Sequence, residues 1–327
     1  MFLGVDGGGT KTAFLIIDKE GNILSYKVGP TSHYKQTSFS NFRDVLRNGI
    51  DEVCKDVGIK IEDIDYSFIG IPGFGEITRD QKELELIVKD ILGKDNFQCG
   101  NDSEVAWAGS LACKPGINIV AGTGAIGYGI DKNGNSYRSS GWGEVCGDEG
   151  SAYWLGKKLI EVFTKEIDGR INKTKLYDIV KKELSIEDDF EILDIVLNKF
   201  KSERHHIASL GKLLYIGAKA NDKTAIDIYK QAAYEHFLMA KAIIENLEFE
   251  DEEYINISYS GGVFNAGDYV LEPLKELLYE YKRNTKLVKS ILQPVSGAAL
   301  YAMYLSDHSI DNIIENLQKE EESWILK

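Results

Sequence analysis

The residues whose types and spacing could do chemistry begin in the run Asp6-Gly7-Gly8-Gly9-Thr10-Lys11-Thr12, which lies between two apolar stretches. Glycines can adopt positive φ, so their backbone N–H groups can approach a ligand closely and hold phosphate oxygens, and threonine hydroxyls add donors. Asp6 ends the first apolar stretch, where one carboxylate can hold a hydrated Mg²⁺. The alternatives are a tight hairpin for the glycines and a turn-capping role for Asp6.

A second glycine run, Gly122-Thr123-Gly124, repeats this arrangement farther along the chain. In both runs the glycine that precedes the threonine lies nine residues before an aspartate in a turn, from Gly9 to Asp18 and from Gly122 to Asp131. The equal spacing predicts an internal duplication of a strand-hairpin-strand unit. Two matched loops favour ligand binding over two unrelated hairpins.

Other phosphate-binding motifs fit the sequence less well. The stretch from Gly122 to Gly127 satisfies G-x-G-x-x-G, but a dinucleotide site needs a helix directly afterwards, and Tyr128-Gly129-Ile130-Asp131 is typical of a strand and hairpin. The chain has no G-x-x-x-x-G-K-[ST]. A third glycine turn, Ser260-Gly261-Gly262-Val263-Phe264, has room for a flat base or ribose against the backbone.

The elements that must position these residues follow an α/β order. Apolar runs at 2–5, 13–17, 23–28, 66–71, 97–99, 117–121, 128–130 and 254–259 predict strands. Helical spacing predicts helices at 42–57, about 80–92, 153–163, 176–184, 226–244 and 269–281, and from 297 onward. Lys114-Pro115-Gly116 is typical of a domain boundary.

Composition limits the function classes. A net charge of −14 opposes non-specific binding to nucleic acid or anionic membranes, so neither partner is expected. No apolar run approaches the roughly 20 residues of a membrane span, and the N-terminus lacks a signal pattern, which predicts a cytoplasmic protein. The cysteines at 54, 99, 113 and 146 form no C-x-x-C pair, which argues against a zinc or iron-sulfur site.

The motifs together resemble the sugar kinase, heat-shock-protein 70 and actin superfamily, and within it the N-acetylglucosamine kinase and BadF/BadG/BcrA/BcrD ATPase family. The resemblance rests on five segments, at 6–12, 101–102, 122–124, 141–154 and 260–264. It implies an α/β fold of two ribonuclease-H-like (actin-like ATPase) domains flanking a nucleotide cleft. The expected domains are residues 1–114, with C-terminal helices about 303–327 packing back on them, and residues 115–302 with a helical insertion.

The resemblance also implies an ATP- and Mg²⁺-dependent kinase for the 6-hydroxyl of an amino sugar, with a role in amino sugar metabolism and cell wall recycling. Asp102 is the expected base, and Asp6 the expected metal ligand. The expected ATP-binding residues are Gly8, Gly9, Thr10, Lys11, Thr12, Gly122, Thr123, Gly124, Ala218, Gly261 and Gly262. The expected sugar-binding residues are Ser32, Asp102, Ala125, Ile126, Gly141, Trp142, Gly143 and Asp148. From the residues alone, Asp102 could instead cap the helix after it, and Asp148 with Glu149 could complement a helix N-terminus.

The identity of the sugar stays open. Family members commonly carry a polar pair where this chain has Ala125-Ile126, and an asparagine near Ser32 is missing. N-acetylglucosamine and N-acetylmuramate are expected substrates, with Lys35 or Arg138 as partners for a lactyl carboxylate; free glucosamine is an alternative. Another alternative is a sugar-independent ATPase of BadF type, but such activases use a bridging iron-sulfur cluster, for which this chain lacks closely placed cysteines. A homodimer is the default assembly.

Overall fold

A computed structural model describes residues 1–249 and 254–325. The chain divides into two compact units: the first comprises Met1–Pro115 with Lys289–Lys327, and the second comprises Gly116–Val288. Residues 326–327, the last two of the predicted C-terminal segment, lie outside the described residues.

Each unit contains a five-stranded mixed sheet. The first sheet has the order β3-β2-β1-β4-β5 and the second the order β8-β7-β6-β9-β10. The strands are β1 (Phe2–Gly7), β2 (Lys11–Ile17), β3 (Ile23–Pro30), β4 (Tyr66–Ile71), β5 (Phe97–Asn101), β6 (Gly116–Ala121), β7 (Ala125–Ile130), β8 (Ser136–Ser140), β9 (Ile255–Ser260) and β10 (Thr285–Lys289). In each sheet the first three strands form an antiparallel meander and the fourth pairs parallel with the first.

Helices cover these sheets. They are α1 (Phe39–Val57), α2 (Thr78–Leu92), α3 (Asp102–Leu111), α4 (Ala152–Ile167), α5 (Lys175–Glu183), α6 (Glu191–Asp194), α7 (Arg204–Ser209), α8 (Gly211–Lys219), α9 (Lys223–Asn246), α10 (Asp268–Tyr281), α11 (Pro294–Leu305) and α12 (Ile314–Trp324). Ser38 starts α1 by accepting a hydrogen bond from the Asn41 amide, and Gly58 ends it at φ 75°. No described helix is long and apolar enough to span a bilayer.

The matching strand orders confirm the predicted duplication and the predicted α/β fold class. The agreement extends to the meander turns. Asp18 Oδ1 accepts from the Asn22 amide at 2.9 Å, and Asp131 Oδ1 accepts from the Asn135 amide at the same distance. In each copy the asparagine side chain also donates to the second carboxylate oxygen. The repeated aspartate therefore fixes the register of the hairpin that follows each glycine loop.

In the first unit, α11 packs directly on β1 through small residues. A Cβ at Gly4 would lie 2.2 Å from the backbone nitrogen of Ala299, and one at Gly297 would lie 2.0 Å from the backbone nitrogen of Gly109. Both positions therefore require glycine, because backbone atoms cannot move aside as a flexible side chain can. The segment that begins at Lys289 thus completes the core beneath the first glycine loop.

Several elements have no clear signal in the sequence. Strand β8 consists of polar and half-exposed residues, and β10 has no fully buried position, so neither shows the apolar pattern of a core strand. The helical segment of the second unit is broken into short pieces between Lys175 and Lys219, including a π-helical turn at Ile195–Lys199. Short helices give few repeats of the helical period, which makes their boundaries hard to locate.

Candidate active site

The first glycine loop joins β1 to β2 in a fixed conformation. The Gly8 amide donates to the Lys11 carbonyl at 2.9 Å, and the Thr31 hydroxyl donates to the Gly8 carbonyl at 2.7 Å. A Cβ at Gly7 would lie 2.6 Å from Ser32 Oγ and 2.6 Å from the Gly70 carbonyl. The structure therefore brings Ser32 against the loop, where only glycine fits at position 7.

The loop residues differ in what they expose. Gly9, Thr10 and Lys11 are exposed and Gly8 is half-buried, so the amides and side chains at the tip can reach a ligand. Thr12 is fully buried in β2, and no described residue makes a hydrogen bond with its hydroxyl. The Thr12 side chain is therefore not available at the loop surface.

Asp6, Glu76 and Asp102 form an acidic cluster in the first unit. Burial raises the pKa of Asp6 to about 6, although nearby Lys11 acts in the opposite direction. Burial raises the pKa of Asp102 to about 7, and the charges of Asp6 and Glu76 add to this effect. Two carboxyls with raised pKa values are suited to a proton acceptor and to a cation site.

Asp102 is not the cap of its helix. The preceding residue, Asn101, accepts hydrogen bonds through its side-chain oxygen from the Ser103 amide at 3.0 Å and the Ser103 hydroxyl at 2.8 Å. Asp102 is the first residue of α3, and its carboxyl belongs to the acidic cluster. Asn101 is thus the cap of α3, although the backbone amides of Asp102 and Ser103 also donate to the Asp102 carboxyl.

The second glycine loop joins β6 to β7. The Gly122 amide donates to the Gly124 carbonyl at 2.9 Å, while the Gly122 carbonyl accepts from the Ala152 amide at 2.8 Å. The loop is thereby attached to the start of α4. Thr123 is exposed at its tip, as Thr10 is in the first loop.

The turn after β9 approaches this second loop closely. Gly261 has φ 102° and ψ 161°, a conformation essentially restricted to glycine. A Cβ there would lie 2.4 Å from the Ala121 carbonyl oxygen and 2.8 Å from the Gly122 nitrogen. Gly262 is exposed with open space around it. The structure thus brings together Gly261, Gly262 and the loop at 122–124.

Ala218 does not lie at this surface. It is fully buried in α8, within the hydrophobic core of the second unit, and so offers no surface to a nucleotide. The neighbouring Tyr215 and Ile216 are partly exposed on the same helix.

The segment from Gly141 to Gly150, here called the 141–150 loop, follows β8 and holds four of the expected sugar-binding residues. Gly141 has φ 75°, and a Cβ there would lie 2.7 Å from the Ile126 side chain. Trp142 is 71% exposed, and the Arg138 guanidinium lies 5.4 Å from its ring centroid. Ala125 is buried in β7 and Ile126 supports Gly141, so this pair forms an apolar floor for the loop.

Asp148 is the anchor of the 141–150 loop. It adopts φ 63° although it is not glycine, and it is buried. Its Oδ1 accepts from the Gly143 amide at 3.3 Å, and its Oδ2 forms an ion pair with Arg204. Ser151, not Asp148, caps α4 by accepting from the Trp154 amide at 3.1 Å.

Two residues near this loop have no motif that could reveal them in the sequence. Arg204 lies 56 positions beyond Asp148, in a short helix of the insertion. His236 is fully buried in α9, with its Nε2 3.0 Å from the Gly150 carbonyl and its ring 5.0 Å from Phe264. His236 thus connects the 141–150 loop to the turn that contains Gly261.

The two cations considered for a lactyl carboxylate already have protein partners. Lys35 forms an ion pair with Glu76 at 2.7 Å in the first unit. Arg138 donates to the carbonyls of Ser140 and Gly141 in the second unit. Both lie next to residues of the expected site, in different units.

Known proteins resemble this chain over most of its length. It is 29% identical over 300 residues to an N-acetylmuramic acid/N-acetylglucosamine kinase of Clostridium acetobutylicum, covering 92% of this chain and 97% of that one. It is 27% identical over 311 residues to an N-acetyl-D-glucosamine kinase of Dictyostelium discoideum, covering 93% and 98%.

Among solved structures, a candidate N-acetylglucosamine kinase from Chromobacterium violaceum matches with a TM-score of 0.67 and 22% identity, covering 92% of this chain and 98% of that one. This match supports the fold rather than the activity. The pattern of the BadF/BadG/BcrA/BcrD ATPase family matches residues 3–302, which include both glycine loops, the acidic cluster and the 141–150 loop. The chain therefore belongs to the BadF/BadG/BcrA/BcrD ATPase family.

Proposed function

We propose that this chain is an ATP-dependent kinase that phosphorylates the 6-hydroxyl of an amino sugar, with N-acetylglucosamine and N-acetylmuramate as substrates. The observation that carries the proposal is the buried Asp102 carboxyl in the first turn of α3, next to Asp6 and Glu76 and raised in pKa to about 7. The names of the relatives from Clostridium acetobutylicum and Dictyostelium discoideum support the substrate class.

Asp102 is the proposed general base. Its carboxylate accepts the proton of the sugar 6-hydroxyl as the sugar oxygen bonds to the γ-phosphorus and the bond from that phosphorus to the ADP oxygen breaks. A carboxyl with a pKa near the working pH can accept the proton and release it afterwards. The products are the 6-phosphorylated sugar and ADP.

The acidic cluster fits a magnesium ion. Asp6 is a half-buried carboxyl at the end of β1, and its charge raises the pKa of Asp102, so the cluster carries more negative charge than its surroundings stabilise. A divalent cation would offset that charge, and Mg²⁺ binds through few carboxylates while keeping its waters. Asp6 would hold the ion, directly or through water, and the ion would neutralise negative charge on the phosphates.

The two glycine loops are the proposed phosphate-binding elements. The exposed backbone amides at the two loop tips, with the exposed hydroxyls of Thr10 and Thr123, are the proposed donors. The amides of Gly8 and Gly122 instead close the loops through bonds to the Lys11 and Gly124 carbonyls. Gly261 and Gly262 are proposed to border the nucleoside, where their lack of side chains leaves space for a flat ring. Thr12 contributes through its backbone, since its side chain is buried.

The sugar is proposed to bind Ser32, Asp102 and the 141–150 loop. The carboxylate of Asp148 accepts hydrogen bonds from sugar hydroxyls, and exposed Trp142 offers a flat surface to the sugar ring. Ala125 and Ile126 supply apolar contact rather than hydrogen bonds, which leaves space for a substituent on the sugar. Arg138 beside Trp142 and Lys35 in the first unit are the proposed partners of a lactyl carboxylate.

The decisive experiment measures ADP release with a panel of sugars: N-acetylglucosamine, N-acetylmuramate, glucosamine and 6-deoxy-N-acetylglucosamine. We expect release that depends on the first or second sugar, is abolished by chelating Mg²⁺, and is absent with the 6-deoxy sugar, which lacks the acceptor hydroxyl. Equal ADP release with and without sugar would instead identify an ATPase. Release with glucosamine alone would identify a glucosamine kinase.

The assembly and the cell compartment belong to the same proposal. We expect a homodimer, since two-fold dimers are the commonest oligomers of soluble proteins. We expect this homodimer in the cytoplasm. Light scattering coupled to size-exclusion chromatography distinguishes a dimer from a monomer.

The domain limits at residues 114 and 302 stay predictions, to be tested by limited proteolysis.

A further inference from the structure

The helical insertion of the second unit reaches the 141–150 loop through one charged side chain. Between β8 and β9 the second unit carries α4 to α9, whereas the first unit has only α1 and a short 3₁₀ turn between β3 and β4. Arg204 is the first residue of α7 in this insertion. Its guanidinium ends at the loop that holds the expected sugar-binding residues.

Arg204 contacts two acids and one glycine there. Its Nη2 forms an ion pair with Asp148 Oδ2, and its Nη1 lies 3.3 Å from Glu144 Oε2. A Cβ at Gly124 would lie 2.4 Å from Arg204 Nη2 and 2.7 Å from Asp148 Oδ2. The ion pair therefore packs against the second glycine loop and leaves no room for a side chain at position 124.

This contact fixes the direction of the Asp148 carboxyl. Arg204 holds Oδ2 and the Gly143 amide donates to Oδ1, so each oxygen is restrained by a different part of the unit. The backbone of Asp148 has positive φ, and its carbonyl accepts from the Ser151 amide at 3.2 Å. The Ala125 amide also donates to this carboxylate, whose two oxygens together can accept more hydrogen bonds than these partners supply.

We propose that Arg204 is a positioning residue for sugar binding, which holds the Asp148 carboxylate in the direction in which it accepts hydrogen bonds from sugar hydroxyls. The inference rests on the proposed kinase function. It assigns the helical insertion a role in the site, exerted through Asp148 and without contact between Arg204 and the sugar.

The electrostatics of Asp148 support this role. Burial raises the pKa of Asp148, and the positive charge of Arg204 acts against that rise. The charged groups that act on it most strongly are Arg204 from α7 and Glu144 from its own loop, and Glu144 raises the pKa further. Without Arg204, the carboxyl would hold a proton to higher pH and would lose acceptor capacity for the sugar.

The test compares R204Q, which removes the charge, with R204K, which keeps it. For R204Q we expect the KM for N-acetylglucosamine at pH 7 to rise about tenfold or more, the effect of losing a charge-assisted hydrogen bond. The KM for ATP should stay near the wild-type value. As the pH rises, the sugar KM of R204Q should fall back toward that of the wild type, because Asp148 regains its charge.

R204K and K199Q are the matched variants. R204K should show the same dependence of the sugar KM on pH as the wild type, since a cation remains beside Asp148. Lys199 is 67% exposed in the same insertion, so K199Q removes an equal charge without altering Asp148 and should leave every parameter unchanged.

The unfolding temperature of each variant shows whether the fold is intact. If R204Q does not fold, R204K decides alone, and a sugar KM that rises more at low pH in R204K than in the wild type contradicts the proposal.

Two further outcomes separate this inference from the proposed function. A wild-type enzyme that phosphorylates N-acetylglucosamine, combined with an R204Q variant of unchanged sugar KM or unchanged pH dependence, would overturn the role of Arg204 and leave the kinase function standing. A wild-type enzyme without sugar-dependent ADP release would remove the kinase function, and the inference with it.

Discussion

At the scale of single residues, the site combines two buried acids, each of which lies close to the start of a helix that another residue caps. Asn101 caps α3 and Ser151 caps α4, so Asp102 and Asp148 each stand beside a helix start without serving as its cap. Both carboxyls have raised pKa values because they are buried. Such destabilised groups are typical of ligand-binding and catalytic positions.

Replacing Asp102 with asparagine tests the proposed base. We expect kcat to fall by about 10²–10⁴-fold, the usual contribution of a general base, with the KM for ATP nearly unchanged. The measurement is ADP release at saturating N-acetylglucosamine. The unfolding temperature should not fall, because the substitution removes repulsion between Asp102 and Asp6. The control is D90N, since Asp90 is 62% exposed on α2; an undiminished kcat in D102N would exclude Asp102 as the base.

His236 predicts a pH dependence of stability. Burial lowers its pKa to about 4, while the unfolded chain would titrate near 6.5. The unfolded state therefore binds a proton first as the pH falls, and the stability provided by the neutral ring is present above pH 6.5 and lost toward pH 4. At pH 5 the loss is about 2 kcal/mol.

The corresponding experiment follows urea unfolding of the wild type and H236Q at pH 7.5 and pH 5. Glutamine cannot take up this proton, so the free energy of unfolding should fall less with acidification in H236Q. H236Q should be less stable at pH 7.5, since it loses the bond to Gly150 and the packing against Phe264. Equal losses in both proteins would show that His236 does not carry the effect.

At the scale of elements, the close contact with the end of β6 determines which residue fits in the turn after β9. Gly261 passes within contact distance of the Ala121 carbonyl and the Gly122 amide, whereas Gly262 faces open space. One glycine is therefore required by sterics and the other is not, although the two are adjacent in the sequence.

This pair supplies a matched prediction. G261A should lose about 1–3 kcal/mol of unfolding free energy from backbone strain, with more from the clash, and should raise the KM for ATP because the second glycine loop is displaced. G262A introduces the same methyl group without a clash and should leave the unfolding free energy nearly unchanged. Urea unfolding and ADP release on the two variants give the comparison. Equal behaviour would mean that the turn can move away from β6.

An element can be predicted from the sequence when the residues that determine it are contiguous in the chain. The glycine loops, the meander turns at Asp18 and Asp131, and the strands β1 to β4 are encoded by contiguous residues, and the structure confirms them. The pairing of Arg204 with Asp148 and the contact of His236 with Gly150 join distant segments through single side chains. Burial of Ala218 likewise depends on how α8 packs, which no local pattern reveals.

At the scale of the whole molecule, the two units share one topology but differ in chemistry. With Gly9 matched to Gly122, Asp6 corresponds to Ile119, and Ile119 is fully buried in the second core. The copies retained the glycine loop and the turn aspartate, while the acid at the end of the first strand exists only in the first copy. The duplicated sheet thus carries the proposed metal ligand in one unit alone.

The contact between β1 and α11 yields a prediction about the first unit as a whole. G4A places a methyl group against the backbone of Ala299 and Val295 and should destabilise the protein by about 1–3 kcal/mol, as overpacking does. It should also lower ADP release, because Asp6 lies two residues along the same strand. G29A on β3 is the control, since its added methyl would meet only Phe14 at 3.7 Å. Urea unfolding that is unchanged in G4A would contradict the tight packing.

The same contact has a consequence for how the protein is made. During translation the second unit, which is continuous from Gly116 to Val288, can finish folding before α11 has been synthesised and can pack on β1. Only after the segment beyond Lys289 has left the ribosome can the core under Asp6 close. The acidic cluster is therefore assembled last. A nascent chain released early would carry a folded second unit, while Asp6, the proposed metal ligand, would not yet be held in place.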